Sequence, residues 1–195
     1  MKADARIRIP KSRIAVVIGP NGAVKHQLEK TTKISVDIDS SDGLVILESM
    51  EDCEDPLAIW KARDIVQAIG RGFSPQRAFA LLDDDVYLRV INLEEFGSSP
   101  NQIRRLKGRV IGHGGKTRRN IEELTDTYVA IMGNTISVIG EVENQQIAVN
   151  AITRLLRGAE HSTINRYLNT QRRSMKKRRA LELWQPLGPE DTEAR

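Results

Sequence analysis

The sequence contains a single cysteine, Cys53, among 195 residues, so no disulfide within the chain can hold its fold together. Aromatic residues make up only 4% of the chain, which argues against an RNA-recognition motif with its aromatic central strands. No apolar run approaches the ~20 residues of a membrane-spanning helix, and the first residues lack the apolar core of a signal peptide. We therefore expect a cytoplasmic protein without membrane contact.

The spacings that mark most enzymes and metal sites are also missing. Cys53 has no histidine or base motif beside it, so we interpret it as a buried or incidental thiol. No zinc-ligand spacing, Ser-His-Asp arrangement or dinucleotide fingerprint is present. Residues 37–55 hold eight carboxylates and no Lys or Arg, which favours a solvated surface, with a protein-docking face as the alternative. We predict no metal, no cofactor and no catalytic residue.

Positive charge is concentrated in the second half of the chain, within a net charge of +4. Residues 1–98 hold 13 Lys and Arg against 16 Asp and Glu, whereas residues 99–195 hold 17 against 10. Arginine outnumbers lysine 20 to 10, and guanidinium groups bind phosphates bidentately. This distribution favours nucleic acid as the partner of the second half.

Two glycine motifs carry most of the functional information. In residues 19–22 (the first loop) and 112–115 (the second loop), an apolar run meets Gly-x-x-Gly, and the second glycine opens a helix with basic residues. Glycine lacks Cβ, so a phosphate can approach the main chain closely. The start of a helix adds free N–H donors and a partial positive charge. The motifs predict two backbone cradles for phosphate.

The two loops belong to an internal repeat. At an offset of 93 residues, the two copies share Val, Ile and both glycines of the motif, followed by Glu29/Glu122 and Thr32/Thr125. The closing apolar patterns align at an offset of 86, where Ala62 falls on Ala148 and Gly72 on Gly158. A repeat of this length predicts two copies of one fold of ~80 residues each.

Apolar periodicity predicts the order β-α-α-β-β-α in each copy. In the first copy we predict strands at residues 6–9, 34–38 and 44–47, and helices at 12–17, 22–31 and from Pro56 to a stop at Gly70–Gly72. Ser12 is the predicted N-cap of the first helix, and Trp60 is predicted to pack the last. A connecting helix spans residues 74–82. The second copy has strands at 86–93, 128–131 and 135–139, and helices starting near Pro100, at the second loop and at about Asn144.

A non-repeated extension follows Gly158. Ile164, Tyr167 and Leu168 have helical spacing, and residues 172–179 contain six basic residues. Such a run is either a solvated helix face or an RNA-binding arm, and its place beside the basic copy favours RNA. Residues 185–195 are predicted to be a disordered tail. The domains are therefore residues 1–82, 83–159 and 160–195.

The element order, with Gly-x-x-Gly between paired helices, resembles the type I KH domain. The connector Arg-Gly-Phe-Ser-Pro-x-Arg-Ala at residues 71–78 and the spacing of Gly158, His161, Tyr167 and Leu168 resemble the archaeal counterpart of the Dim-two/partner-of-Nob-one family, over about residues 5–183. The resemblance implies an α+β fold of two tandem type I KH domains with a C-terminal helical extension. It also implies a role in small ribosomal subunit assembly.

KH domains hold about four nucleotides of single-stranded nucleic acid against the Gly-x-x-Gly loop. By position, the resemblance implies RNA-binding roles for Ile18, Gly19, Pro20, Asn21, Gly22, Lys25 and Val36, and for Ile111, Gly112, His113, Gly114, Gly115, Lys116, Arg118, Arg119 and Val129. To these we add the basic residues Arg172, Arg173, Lys176 and Lys177 of the extension. Lys25 and Arg118 stand where the family pattern has an aliphatic residue. Either their alkyl stems pack while their charges reach RNA, or the groove is altered.

The implied partner is single-stranded small-subunit ribosomal RNA near its 3′ end, during pre-rRNA processing. A processing endonuclease and translation-initiation factors are candidate protein partners. One alternative is a protein-docking scaffold with weak, non-specific RNA binding. A more distant one is a P-loop-like nucleotide-binding enzyme, since Gly-Gly-Lys-Thr occurs at residues 114–117, although Val110 replaces the first glycine of that motif. His113 could contact a phosphate or a base, and Tyr128 could stack on a base or be an ordinary sheet aromatic.

Overall fold

The computed structural model describes residues 4–182, so the predicted tail at residues 185–195 lies outside the described part. Within it, strands and helices follow the predicted order, with short 3-10 turns between some of them. The strands are β1 (Asp4–Arg8), β2 (Ile34–Asp39), β3 (Leu44–Ser49), β4 (Val86–Asn92), β5 (Tyr128–Met132) and β6 (Thr135–Glu141). The helices are α1 (Lys11–Ile18), α2 (Ala23–Thr32), α3 (Ala58–Gly70), α4 (Pro75–Ala78), α5 (Pro100–Ile111), α6 (Lys116–Thr125), α7 (Val142–Leu156) and α8 (His161–Glu182).

Each copy forms one three-stranded antiparallel sheet covered by three helices. The strand orders are β1-β3-β2 and β4-β6-β5, so the last strand in sequence lies at the centre of each sheet. Strands β2 and β5 are therefore edge strands. The arrangement confirms the predicted α+β class with two type I KH folds and a C-terminal helix.

The hydrogen bonds of the repeated Glu and Thr residues explain why the two copies share these residues. The backbone N–H of Val36 donates to Glu29 Oε1 at 3.0 Å, and that of Val129 donates to Glu122 Oε1 at 2.9 Å. Each glutamate thus ties the helix after the loop to the edge strand beside it. The buried hydroxyls of the repeated threonines donate back to helix carbonyls, which satisfies them inside the core.

Three local predictions in the first copy were wrong. Pro10 occupies the N-cap position of α1 without a side-chain bond, and Ser12 lies inside that helix. Helix α3 begins at Ala58, because residues 55–57 form a turn around Pro56 in which the Leu57 N–H donates to Asp55 Oδ1. Trp60 is 53% exposed instead of packed inward, and the Arg63 guanidinium lies 4.9 Å from its ring centroid.

The start of α5 is fixed by a capping box that the sequence predictions did not include. The Gln102 N–H donates to Ser99 Oγ, and the Ser99 N–H donates to Gln102 Oε1, both at 3.2 Å. Pro100 occupies the first turn, where a missing N–H costs nothing. This well-defined start supports the helix that leads into the second loop.

The connector at residues 71–78 joins the two copies by its own side chains. Phe73 and Ala78 are buried in the first core, which also includes Ala130 and Ile139 of the second sheet. Arg77 donates to Glu122 Oε1 at 3.0 Å and lies 5.0 Å above the Tyr128 ring. The residues that marked the connector as family-specific are therefore those that fix one copy against the other.

The extension is helical, as predicted, and packs on the second copy. Ile164 and Leu168 are buried in the second core. Asn120 of α6 donates to Asn165 at 2.7 Å, whereas Arg172 and Lys176 border a depression shared with the far end of α6. Helix α8 therefore runs along α6 in the same direction, away from the second loop.

Candidate nucleic-acid interface

The two glycine loops have nearly identical backbone geometry. The first glycines, Gly19 and Gly112, have φ/ψ of 73°/174° and 71°/176°. The third positions follow the same path, at 52°/29° for Asn21 and 57°/23° for Gly114. Asparagine tolerates this left-handed region better than most residues, so the first loop keeps the shape with a side chain in place.

The first glycine of each motif is required by space as well as by φ. A Cβ on Gly112 would overlap the Thr117 side chain and lie 2.9 Å from the Thr117 nitrogen. A Cβ on Gly19 would overlap Val24 and lie 2.8 Å from its nitrogen. Each loop therefore closes directly over the first turn of the next helix.

The second loop presents more backbone donors than the first. The N–H groups of His113 and Gly114 have no acceptor within residues 4–182, and both residues are exposed. The Gly115 N–H, by contrast, donates to Gly112 O at 3.2 Å. In the first loop Pro20 replaces His113, and proline has no N–H to offer. A phosphate at the second loop can thus accept from two free amides, and at the first loop from only one.

Two basic residues surround the second loop in different ways. Lys116 is exposed at the start of α6 and makes no ion pair within the described residues. Arg119 donates from Nη2 to Gly114 O at 2.8 Å, so this side chain holds the loop backbone in shape. The arrangement adds positive charge directly beside the free amides, where an anion gains most.

Lys25 and Arg118, which depart from the family pattern, face inward toward the paired glutamates. Lys25 Nζ lies 3.8 Å from Glu29, and Arg118 Nε lies 4.0 Å from Glu122. Arg118 also donates to the carbonyl oxygen of Val129 at 3.4 Å. Arg118 thus reaches from α6 to edge strand β5, whereas Lys25 contacts a residue of its own helix.

The four apolar side chains among the predicted RNA-binding residues divide into surface and core residues. Ile111 is 37% exposed beside the second loop, and Ile18 is partly exposed beside the first. Val36 and Val129 are 1% and 0% exposed, because their side chains point into the cores beneath the edge strands. Neither valine reaches the surface in this conformation, so each supports the groove from below and does not line it.

Tyr128 lies at the start of edge strand β5 and is 41% exposed. The Arg77 guanidinium covers one ring face, so that face is not available to a base. The ring belongs to the contact between connector and second copy.

The basic residues of α8 do not join the second loop. Arg178 and Arg179 pair with Glu143 and Glu141 at the start of α7. The four predicted RNA-binding residues are exposed and make no bond within residues 4–182: Arg172, Arg173, Lys176 and Lys177. They begin seven residues beyond Asn165, or ~10 Å farther along the helix. Sequence reasoning missed that the first turns of α8 are the ones beside the loop.

The P-loop alternative does not fit the structure. Such a motif requires a strand before the phosphate loop, whereas the second loop follows the 12-residue helix α5. Between residues 4 and 182, no group of three His, Cys, Asp or Glu side chains could hold a metal ion. No helix in the same range is long and apolar enough to cross a membrane.

Two three-stranded sheets of this order, each with a Gly-x-x-Gly turn between its first two helices, define a tandem type I KH protein. The family model described as Eukaryotic type KH-domain (KH-domain type I) matches residues 87–173. The Krr1 KH1 domain model matches residues 7–84. KH domains bind single-stranded nucleic acid at this loop.

Comparison with similar proteins identifies the family of tandem KH proteins to which the chain belongs. A KH domain-containing protein of Methanocaldococcus jannaschii is 49% identical over 91% of this chain and 78% of its own length. The pre-rRNA-processing protein pno1 of Schizosaccharomyces pombe is 28% identical over 79% of this chain and 65% of its own. A chain in the crystal structure of an a/eIF2α–aDim2p–rRNA complex from Pyrococcus horikoshii is 46% identical, with a TM-score of 0.84, covering 89% of this chain and 96% of that one. The chain belongs to the PNO1/Dim2 family of KH-domain RNA-binding proteins, which confirms the predicted family.

Proposed function

We propose that this protein holds a single-stranded segment of small-subunit ribosomal RNA, near its 3′ end, during pre-rRNA processing, and that it has no catalytic activity of its own. The observation that carries the proposal is the second loop, where two free amides and Lys116 converge on one exposed turn. The names of the relatives, one a pre-rRNA-processing protein and one part of an rRNA complex, support the RNA class.

The second copy is the main RNA site in this proposal. Its loop offers one more backbone donor than the first, because Pro20 has none. The second half of the chain is also basic, whereas residues 1–98 hold more acidic than basic residues. The first copy contributes less to RNA affinity and is available for a protein partner.

Crosslinking to cellular RNA tests the proposed target. The tagged full-length protein is crosslinked by ultraviolet light in its own cells, and the RNA attached to it is sequenced. We expect contacts concentrated near the 3′ end of the small-subunit ribosomal RNA. Reads spread evenly over messenger and large-subunit RNA would contradict the proposed target, while still allowing general RNA binding.

The basic face of α8 is expected to affect only longer RNA. Replacing Arg172, Arg173, Lys176 and Lys177 by glutamine removes four charges but leaves the buried face of the helix unchanged. Because these residues lie away from the second loop, a tetranucleotide should bind as before. For a single strand of about 15 nucleotides, the slope of log affinity against log salt should fall by ~0.7 for each phosphate that the variant no longer neutralises. An unchanged slope on the long strand would show that this face is merely solvated.

A protein-docking role for the first copy has its own structural support. Leu57, Trp60 and Tyr87 are 58%, 53% and 49% exposed and border one shallow apolar groove. At the offset of 86 residues, the second copy has Glu143 and Gln146 in place of the Leu and Trp. Since the same fold tolerates polar residues there, the exposed apolar surface serves something other than folding.

Carboxylates around this groove point to a protein with basic residues and not to RNA. Asp64, Asp83 and Asp84 border it together with one cation, Lys61, which pairs with Asp84. The excess of carboxylates opposes a phosphate backbone. Burial raises the pKa of the Asp64 carboxyl, although the adjacent Arg63 guanidinium acts in the opposite direction. The candidate partners are an initiation-factor subunit, of the kind present in the relative's complex, and the processing endonuclease.

The variant Leu57→Glu/Trp60→Gln, which copies the second KH domain, tests the docking role. We expect at least a ~30-fold loss of affinity for one of these two purified partners, because a central Trp often contributes 2 kcal/mol or more. RNA affinity should stay constant. Val142→Gln, which removes another exposed apolar side chain, is the control and should change neither. Wild-type affinity of the double variant for both partners would rule out docking by them at this groove.

A further inference from the structure

An open pocket lies on the side of the second loop that faces α8, away from edge strand β5. Its walls are formed by α5, α6 and the first two turns of α8. Ten residues line it, and none of them is Asp or Glu. They include Arg105 and Arg109 of α5, Lys116 and Asn120 of α6, and His161 and Asn165 of α8. The loop residues Gly112 and His113 form its rim, so a strand held at the loop can continue directly into it.

The polar groups of this pocket are partly fixed and partly free. Arg109 donates from Nε to Leu155 O at 3.0 Å and from Nη2 to Ala159 O at 2.6 Å, which anchors one wall. His161 Nε2 contacts the Arg109 carbonyl oxygen at 2.9 Å. Arg105 is exposed and, like Lys116, makes no ion pair or hydrogen bond within residues 4–182. The pocket thus combines a guanidinium held in place, that of Arg109, with two cations that have no partner in the part of the chain that the structure describes. Such a site favours a phosphodiester group, whose oxygens accept charge-assisted hydrogen bonds.

The first copy shows that the fold does not require this chemistry. At the offset of 93 residues, Arg105, Arg109 and Lys116 correspond to Ser12, Val16 and Ala23. At the offset of 86 residues, the four-residue helix α4 corresponds to the first turn of α8, so the first copy has only a short helix in place of the 22-residue α8. Arg13 anchors the first copy as Arg109 anchors the second, because it donates to Ile69 O and Phe73 O, the counterparts of Leu155 O and Ala159 O. The cations Arg105 and Lys116, unpaired within the described residues, are therefore the part of this chemistry that is specific to the second copy. Basic residues that occur in the second repeat but not in the first are the signal in the sequence that could have indicated this site. That signal does not show that α8 packs beside the second loop.

We propose that this pocket binds a backbone phosphate of a nucleotide flanking the four that occupy the KH groove, so that α8 lengthens the RNA site. The inference rests on the proposed RNA-binding function and adds a second subsite to it. The strand passes over the second loop and places its next phosphate between Arg105 and the first turns of α8. The positive end of the α8 dipole adds to the attraction.

Two substitutions in the pocket, each with a matched control, test this subsite. Arg105→Ser installs the residue of the first copy, and Arg104→Ser removes the same charge from the neighbouring exposed position outside the pocket. Asn165→Asp keeps the oxygen that accepts from Asn120 but adds a negative charge to the pocket. Its control, Gln146→Glu on α7, makes the same change of charge elsewhere.

Affinity is measured against oligouridylates of four and eight nucleotides, with extra residues on either the 5′ or the 3′ side. We expect both pocket variants to bind the tetramer like the wild type and the octamer about tenfold more weakly, as for the removal of one charge-assisted hydrogen bond. The controls should match the wild type on both lengths. If only the octamers extended on one side bind Arg105→Ser more weakly than the wild type, that side is the end of the strand that enters the pocket.

The outcomes separate the subsite from the function on which it rests. Wild-type octamer binding by both pocket variants would overturn the subsite while leaving the loop as the RNA site. Equal losses on tetramer and octamer would also overturn it, because Arg105 would then act on RNA in the groove. Failure of the wild-type protein to bind either length would overturn the proposed function and the subsite together.

Discussion

The variant His113→Asp/Gly114→Asp is expected to lose most RNA binding while remaining folded. Both positions are exposed, and a Cβ at Gly114 would meet no atom within 4 Å. Asn21 holds the same backbone conformation in the first loop, so an Asp side chain is tolerated there. Each new carboxylate faces the phosphate that the free amides would bind. A cost of ~1–3 kcal/mol for each hydrogen bond to phosphate corresponds to at least a ~30-fold weaker affinity for the pair.

A gel-shift titration with single-stranded RNA measures this loss, and circular dichroism checks the fold. The uncharged control His113→Asn/Gly114→Asn should keep affinity within a few-fold, since it changes shape as much but adds no charge. Pro20→Asp/Asn21→Asp in the first loop should reduce affinity much less. Equal losses from the two loops would contradict the assignment of the second copy as the main site. Wild-type RNA affinity of His113→Asp/Gly114→Asp would show that the second loop is not the RNA-binding site.

Substitution of Gly112 by alanine is expected to destabilise the second KH domain. A Cβ there overlaps Thr117 and requires φ near +71°, which side chains rarely adopt. The backbone strain alone costs ~1–3 kcal/mol, against the total stability of ~5–15 kcal/mol typical of a domain. We therefore expect the unfolding temperature to fall by several degrees and RNA affinity to fall with it, as the loop loses its shape.

Gly108 provides a matched control four residues earlier. It lies exposed inside α5, and a Cβ there would meet nothing within 4 Å. Gly108→Ala should raise stability by ~0.5–1 kcal/mol, because alanine favours helix more than glycine does. Calorimetry of the two variants should therefore show shifts of opposite sign. An unchanged or higher unfolding temperature for Gly112→Ala would mean that the second loop tolerates a side chain there.

Predictions from the sequence succeeded where the signal was local. The two loops and the six strands were found because glycine and apolar alternation act over a few residues. They failed at helix starts such as Ser12, where Pro10 takes the cap position without a side-chain bond. Trp60 was misplaced for a different reason, since an apolar residue on an amphipathic helix is normally buried.

Periodicity also could not show that the second sheet is covered on both faces. Strand β3 alternates between buried and partly exposed residues, whereas β6 is buried at six consecutive positions. The connector and first copy cover the outer face of β6, where Ile139 joins the first core. Burial there depends on residues more than 50 positions away, which no local pattern reports.

The sequence by itself determined the repeat, the order of the elements and the two glycine turns, because these depend on backbone preferences and spacing within short segments. Only the tertiary structure decided which charges face a ligand. It placed Arg118 against the carbonyl oxygen of Val129, buried the Val129 side chain, and placed the start of α8, not its basic run, beside the second loop. These outcomes depend on contacts between segments that are distant in the sequence. Packing between such segments decides which of several similar side chains is buried or engaged and which is free to bind a ligand.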